Sequence, residues 1–456
     1  MIPSLRRRLY GGGAWSFSGR LAGAGLYFLL NVVLVRYLDP EDVGFFFVLL
    51  SVATGGALLA QMGVSQAATK LISEVLSLGR SDVLVSLVAR VFITCAIGIL
   101  LVSAFLYLGV GELLFSKLFR HQQLSAFLPL VIVWMATTTL LIVLSETFRG
   151  FHDIRASALL GGSQSSGVIS IGITILVWVA MREFGVPIDL ALLVKSLVVV
   201  AVLVILAASF GLVKKVGIAA QSAVSSIGAD NRKFRLLPLL PSFFLVSATV
   251  YIMQQSDIWI VAASEKPEIT AIYGSASRLV FAIGMPLMIV NGVVPPMISE
   301  LLAKGRSIDL ENILRRVTTL ATWAAGIGVM IVIIAGEHIL TLLFGAFYAD
   351  GYLVLVILSV GKFVNVMAGS SGLVLLMGGQ HRLAMLLGVS TAFLTLITAS
   401  LIAQEYGSVG VATVFASGLI VHNALMVVAV HKTINIRTYA GWFSLKELRA
   451  LADSAK

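Results

Sequence analysis

Six charged side chains interrupt long apolar stretches of the sequence, and they are the residues best suited to binding chemistry. They are Arg20, Arg90, Lys195, Asp257, Arg278 and Lys362. A charge deep in a bilayer is costly unless it faces water, a partner or a substrate path. Five of the six are cationic, and ammonium and guanidinium groups bind phosphate oxygens through charge-assisted hydrogen bonds. The pattern predicts a cationic cavity for an anionic substrate, with these five cations as its binding residues.

The five cations differ in depth. Arg20, Arg278 and Lys362 lie eight or nine residues inside their apolar stretches, roughly 12–14 Å along a helix. Arg90 and Lys195 lie six or seven residues inside, and from there a long side chain can reach the lipid headgroups. A location in the cavity is therefore favoured for Arg20, Arg278 and Lys362. For Arg90 and Lys195, a location in the cavity and a location at the lipid headgroups both stay open.

Polar residues share helix faces with two of the deep cations. Tyr27 and Asn31 follow Arg20 at helical spacing in the first apolar stretch, and Asn365 follows Lys362 in the tenth. A polar stripe on an apolar helix predicts one face toward a lumen, so Tyr27, Asn31 and Asn365 are predicted to line the cavity.

Asp257 is the one acid inside an apolar stretch, and Gln254 precedes it by one turn. Gln254 is predicted to line the cavity as well. The Asp257 carboxylate suits a coupling site for a proton or sodium ion, or a gate. It equally suits a structural ion pair with Arg278 on the next stretch, and the sequence leaves both interpretations open.

Membrane-spanning helices must position these residues. Hydrophobic residues make up 59% of the 456-residue chain, charged residues make up 12%, and the mean hydropathy is +1.01, which excludes a soluble protein. Continuous apolar runs of the length that a bilayer requires favour helices over a barrel. The runs lie near 12–35, 43–62, 84–108, 126–145, 156–181, 188–212, 239–262, 269–294, 318–335, 353–377, 383–403 and 409–430. The predicted fold class is an all-α membrane protein with about 12 transmembrane helices.

Basic residues predict the orientation. With the N-terminus inside, 22 Lys and Arg fall in cytoplasmic segments and 5 in outer loops, a strong positive-inside bias. Both termini are therefore predicted to be cytoplasmic. The net charge of +10 does not indicate nucleic acid, because the basic link 214–235 is expected to contact anionic lipid headgroups.

An internal repeat divides the chain into halves. ISEVLSLGRS at 72–81 recurs as ISELLAKGRS at 298–307, and Pro40-Glu41 recurs as Pro267-Glu268. Six spans separate the copies, which predicts a parallel repeat with substrate between two lobes. The predicted segments are an N-terminal lobe (1–213), a cytoplasmic linker (214–236), a C-terminal lobe (237–431) and a basic tail (432–456).

Motifs for enzymatic chemistry do not occur. The chain lacks GxxxxGK[ST], HExxH and GxSxG, and Cys95 is its single cysteine. We therefore expect no enzyme activity, metal site or cofactor beyond a coupling H⁺ or Na⁺. Gly161-Gly162 and Gly284 with Pro286 are expected to bend spans, and Pro295-Pro296 is expected to end the eighth span.

The sequence resembles the polysaccharide flippase branch of the multidrug/oligosaccharidyl-lipid/polysaccharide exporter superfamily. The resemblance lies in VVLVRYLDPEDVGFFFVLLSVATGGALLAQMGVSQAATKLISE, in SDIWIVAASEKPEITAIYGSASRLVFAIGMPLMIV, and in ETFRGFHDIRASALL. Asp257, Tyr273 and Arg278 match the pattern of this family around the seventh and eighth spans. Gly44 matches it in the first half, whereas Ala271 departs from it in the second.

The resemblance implies a two-lobed, twelve-helix transporter that moves an undecaprenyl-pyrophosphate oligosaccharide across the bacterial inner membrane by alternating access. The glycan would serve O-antigen, capsule or exopolysaccharide synthesis, and a glycan polymerase complex would be a partner. The alternatives are a cation-coupled multidrug antiporter, a lipid II flippase, and a membrane glycan polymerase or ligase. The antiporter would require several intramembrane acids, and this chain has one. The lipid II flippase would require two additional spans, and the polymerase or ligase would require a large outer loop.

Overall fold

The computed structural model describes residues 22–77, 83–161, 167–221 and 236–441, and every regular element in these ranges is a helix. Contacts divide the chain into two compact units, 1–271 and 272–456. The seventh predicted span therefore belongs to the first unit by contacts, together with the first residues of the eighth.

The helices of the first unit are α1 (Ala22–Tyr37), α2 (Pro40–Gln61), α3 (Val64–Ser77), α4 (Leu84–Leu118), α5 (Gln122–Gly150), α6 (Ile154–Leu160), α7 (Val168–Glu183), α8 (Leu190–Gln221) and α9 (Leu240–Ser264). Pro40 lies at the start of α2. The backbone N–H that proline lacks would have no partner within the helix at this position, so proline is well tolerated there. The buried side chains of α3 recur at helical spacing, from Val64 and Ala68 through Leu71 to Val75. This spacing makes α3 an amphipathic helix with one buried face.

The second unit contains most of α10 (Pro267–Ala303), followed by α11 (Ser307–Phe344), α12 (Tyr352–Ala368), α13 (Ser371–Met377) and α14 (His381–Ile434). The 54 residues of α14 would measure roughly 80 Å if straight. Gly407 breaks the helix with φ 57° and ψ −150°, a conformation that favours glycine. Thr391 hydrogen-bonds His422 across the break at 2.9 Å, so the two halves of α14 form an antiparallel hairpin.

Helices lie at each of the twelve predicted apolar runs in the part of the chain that the structure describes. Eight are long and apolar enough to cross a bilayer by themselves, and the bent α9 makes a ninth. α1 and α7 are shorter, and Gly407 divides α14 between the eleventh and twelfth predicted runs. The protein is therefore a multi-pass, all-α membrane protein.

Several span boundaries differ from the prediction. α10 runs unbroken through Pro295-Pro296 to Ala303, so the expectation that these prolines end the eighth span was wrong. Neighbouring helices in a membrane bundle can satisfy the backbone groups that proline frees. The third span is predicted to end at residue 108, and Gly109, with φ 125° and ψ −19°, interrupts α4 directly after it. The ninth span is longer than predicted, because α11 extends from Ser307 to Phe344. Helix propagation does not stop where hydropathy falls.

The fifth predicted span consists of two helices. α6 ends before Gly161, whose backbone is extended with φ −116° and ψ 121°, and α7 begins at Val168. Gly161 therefore ends a helix, which is a stronger effect than the predicted bend, while Gly162 lies outside the described residues. The helix pair α6–α7 replaces a single continuous span.

The internal repeat extends to helix packing. In the first unit, Gly56 of α2 lies against Met135 of α5, and Gly150 of α5 lies against Ile72 of α3. The partners in these contacts are 79 and 78 residues apart. α2 and α3 therefore run parallel to α5 in a fixed register.

The second unit repeats this register. Gly351 at the start of α12 lies against Ile272 of α10, and the Ser370 hydroxyl donates a 2.6 Å hydrogen bond to Asn291 Oδ1. The partners in each contact are 79 residues apart. α10 and α12 are thus the second copy of the arrangement that α2, α3 and α5 make, although α10 is continuous where Met62 and Gly63, both at positive φ, separate α2 from α3.

The chain after α14 packs back onto the second unit. Asn435 ends α14 in the left-handed conformation. The Thr438 hydroxyl then donates to Ala368 O at 3.1 Å, and Ala440 N donates to Met367 O at 2.9 Å. These bonds satisfy carbonyl groups at the end of α12, which a helix terminus otherwise leaves unpaired.

Candidate functional site

Lys362 lies in the middle of α12, ten residues from its start and roughly 15 Å along the helix axis. Its side chain is half-buried and lies against Gly284 of α10. A Cβ built on Gly284 would be 2.2 Å from Lys362 Cε and 3.2 Å from Nζ. Within the described ranges, no residue forms an ion pair or hydrogen bond with this ammonium. The sequence predicted Lys362 as a cavity cation, and packing adds Gly284 as the surface it lies on.

The first unit contains the same contact without the charge. A Cβ on Gly56 would be 2.9 Å from Met135 Sδ, and Met135 is fully buried. Gly56 and Gly284 are 228 residues apart, and Met135 and Lys362 are 227 apart, which matches the offsets of the sequence repeat. Lys362 therefore occupies the position that a buried Met occupies in the other half. Packing at this position does not require a charge.

Asn365 lies one turn after Lys362 and faces the second half of α14. Its Nδ2 donates a 2.9 Å hydrogen bond to Asn423 Oδ1, and Asn423 Nδ2 donates to Leu419 O. Asn423 and its neighbour His422 were not singled out in the sequence. His422 could have been recognised as the one His at the centre of an apolar run; Asn423, being uncharged, gave no comparable signal.

Tyr27 and Asn31 line a cavity in the first unit, together with Thr54, Trp134 and Thr138. The cavity measures about 20 Å³, which is room for one water molecule. Asn31 is buried, and its Nδ2 donates to Tyr27 O at 2.7 Å. The two residues thus line the same small and mostly apolar cavity on one side of α1, and a part in substrate binding stays a prediction.

The other predicted cations have different surroundings. Arg278 on α10 is buried, with 9% of its surface exposed. Arg90 and Lys195 are exposed on the first unit, and Arg90 Nε donates to Ser86 O of its own helix at 3.1 Å. Arg20 lies outside the described residues. Burial in the spans therefore distinguishes Arg278 and Lys362 from Arg90 and Lys195.

Asp257 and Gln254 lie on α9. Asp257 is half-buried and accepts a 2.9 Å hydrogen bond from Ile258 N, while Gln254 is exposed. The ion pair with Arg278 and the coupling role both stay predictions.

Outside the spans, Asp153 and Lys215 form an ion pair on the predicted cytoplasmic side. Asp153 Oδ1 also accepts a hydrogen bond from Ala156 N at the start of α6. Burial raises the pKa of the Asp153 carboxyl, but the Lys215 hydrogen bond, the Ala156 N–H and the nearby positive charges outweigh burial and lower it. The pair joins the start of α6 to α8.

Sequence comparison identifies the family. The profile of the polysaccharide biosynthesis protein family matches residues 9–302, which is more than half of the chain. The chain belongs to this family. No curated protein sequence matches this family member.

Solved structures with the same fold are membrane transporters. An inward-facing multidrug resistance MATE family transporter of the MOP superfamily is 16% identical, with 90% of this chain and 94% of that chain covered and a TM-score of 0.72. A mutant of the Vibrio cholerae MATE transporter VcmN is 16% identical, with coverage of 95% and 97% and a TM-score of 0.65. The lipid II flippase MurJ in an inward closed conformation is 15% identical, with coverage of 92% and 87% and a TM-score of 0.63. At these identities the likeness establishes the fold, which this family member shares with MOP superfamily transporters.

Proposed function

We propose that the protein is a flippase that moves a lipid-linked oligosaccharide, carried on undecaprenyl pyrophosphate, from the cytoplasmic to the periplasmic leaflet. Membership of the polysaccharide biosynthesis family supports a glycan cargo. The fold shared with MATE transporters and with a lipid II flippase supports movement of substrate by alternating access. The protein would reside in the bacterial inner membrane, and its basic residues predict that both termini lie in the cytoplasm.

The observation that carries the proposal is the asymmetry between Lys362 and Met135. The repeat places an apolar side chain at this position in one half and a cation in the other, so the charge is not needed for packing. A half-buried ammonium costs desolvation free energy. A diphosphate headgroup would compensate this cost, because phosphate oxygens accept charge-assisted hydrogen bonds from ammonium groups.

The remaining cavity residues would act around this anchor. Arg20, Arg90, Lys195 and Arg278 would attract the diphosphate or acidic sugars, and the amides of Asn365 and Gln254 would bind sugar hydroxyls. Tyr27 and Asn31 would contribute a second polar lining. Asp257 would couple movement to a proton or sodium ion. The reaction breaks no bond in the cargo, so the protein would act as a transporter and not as an enzyme.

Reconstitution in liposomes tests the proposal. Purified protein would be incorporated with a fluorescent undecaprenyl-pyrophosphate glycan, and a membrane-impermeant glycosidase would report the fraction exposed outside. We expect the exposed fraction to approach completion with protein and to stay near half without it. If the exposed fraction stays near half with the protein present, and the protein instead takes up an organic cation in an ion-coupled manner, the flippase proposal is wrong and the multidrug antiporter is supported. Partners such as a glycan polymerase would be sought afterwards by co-purification.

A further inference from the structure

We propose that Gly284 is a positioning residue for transport, which fixes the Lys362 ammonium by leaving space for the end of its side chain. The proposal rests on the proposed function of Lys362 as the diphosphate anchor. Gly284 itself would not touch the substrate.

The geometry leaves no room for a side chain at position 284 while Lys362 stays in place. An added Cβ would be 2.2 Å from Lys362 Cε, whereas carbon atoms in contact are separated by about 3.5 Å or more. The Lys362 side chain would therefore have to move by about 1 Å or more. Since the blocked atoms are the end of a flexible side chain, the protein can stay folded while the ammonium moves.

The backbones of α10 and α12 cannot easily separate to avoid this clash. Ile272 lies against Gly351 before the contact, and Asn291 accepts the Ser370 hydrogen bond after it. These two contacts hold the helices in register on both sides of Gly284. The displacement therefore falls on the Lys362 side chain.

The internal repeat provides a contact that has the same packing but no charge to position. Gly56 provides the same space for Met135 in the first unit, and Met135 carries no charge that could bind a phosphate. A glycine is thus needed at both positions for close packing, but only at position 284 would it control the location of a charge. Gly56→Ala is the matched control for Gly284→Ala.

Transport kinetics give the first test. In liposomes with the lipid-linked glycan, Gly284→Ala is expected to raise the half-saturating glycan concentration about tenfold, as expected when a charge-assisted hydrogen bond is weakened. The maximum rate is expected to stay within about threefold. Gly56→Ala is expected to leave the half-saturating concentration unchanged. Equal shifts in the two variants, or a loss confined to the maximum rate of Gly284→Ala, would overturn the positioning role in favour of packing or helix bending.

A stability cycle tests the contact without any transport. The thermal midpoint Tm in detergent would be measured for Gly284→Leu in the natural chain and in the Lys362→Ala background. Because Lys362→Ala removes the blocked atoms, the Tm loss caused by Gly284→Leu is expected to be smaller in that background. Equal losses would overturn the inference. Unequal losses with unchanged transport in both Gly284→Ala and Lys362→Met would instead refute the anchor role of Lys362.

Discussion

Lys362→Met removes the charge of the proposed anchor and keeps most of its volume. The fold already accommodates Met at the equivalent position, since Met135 lies fully buried against Gly56. Met is also shorter than Lys by the ammonium group, so it introduces no new clash with Gly284. Removing a charge from a half-buried, apolar position relieves desolvation. We therefore expect the variant to be inserted and folded, with a Tm equal to or above that of the natural protein.

The size of the effect on transport follows from the lost interaction. A hydrogen bond to a charged group contributes about 1.5–3 kcal/mol. Since about 1.4 kcal/mol corresponds to a factor of ten in affinity, the half-saturating concentration of the glycan should rise about 10- to 150-fold. Lys362→Arg retains the charge on a longer side chain, and it should lose less than Lys362→Met.

The liposome assay measures this change directly, with protein amounts matched by quantitative blotting. Met135→Leu is the control, because it alters the equivalent position of the other half by a volume-conserving change that usually costs less than about 1.5 kcal/mol. It should keep the half-saturating concentration of the natural protein. A Lys362→Met variant with unchanged half-saturation and rate would refute the role of this cation.

Two further predictions concern the elements that support the site. Ser370→Ala leaves the Asn291 Oδ1 acceptor unpaired. The variant should be less stable by about 1–3 kcal/mol, which would appear as a lower Tm. An unchanged Tm would show that this hydrogen bond does not hold α10 and α12 in register. Asp153→Asn keeps an oxygen for the Ala156 N–H but removes the ion pair with Lys215, and should cost up to about 1 kcal/mol at pH 7. Because the pKa of Asp153 is lowered, its contribution is present above the usual carboxyl pKa of 3.8 and is lost as the pH falls through the lowered value. The Tm difference between the natural protein and Asp153→Asn should therefore disappear in acid, and a difference that grows in acid would contradict the assigned ion pair.

Local features of the fold could be predicted from the sequence. Pro40 and Pro267 begin helices in both halves because proline suits the first turn. The amphipathic face of α3 follows from its apolar spacing, and the gap near Gly407 separates two apolar runs of α14. In each case the signal lies within a few residues of the feature.

Continuity of the helices could not be predicted in the same way. Pro295-Pro296 reads as a helix end, yet α10 passes through it, whereas the less conspicuous Met62-Gly63 separates α2 from α3. Whether a proline or a glycine interrupts a helix depends on which neighbours satisfy or crowd its backbone. That information is not local.

The apolar runs, the repeat, the family resemblance and the charges within the runs could be read from the sequence, because hydropathy and spacing are properties of single segments. The contact of Lys362 with Gly284, and the exposure of Arg90 and Lys195, became visible in the folded structure alone. Depth along a helix sets the free-energy cost of burying a charge, but the packing of neighbouring helices sets what surrounds that charge. The equivalence of Lys362 with Met135 follows from the Gly284–Lys362 and Gly56–Met135 contacts. Each contact joins two helices that are far apart in the sequence, so no single segment of the chain contains it.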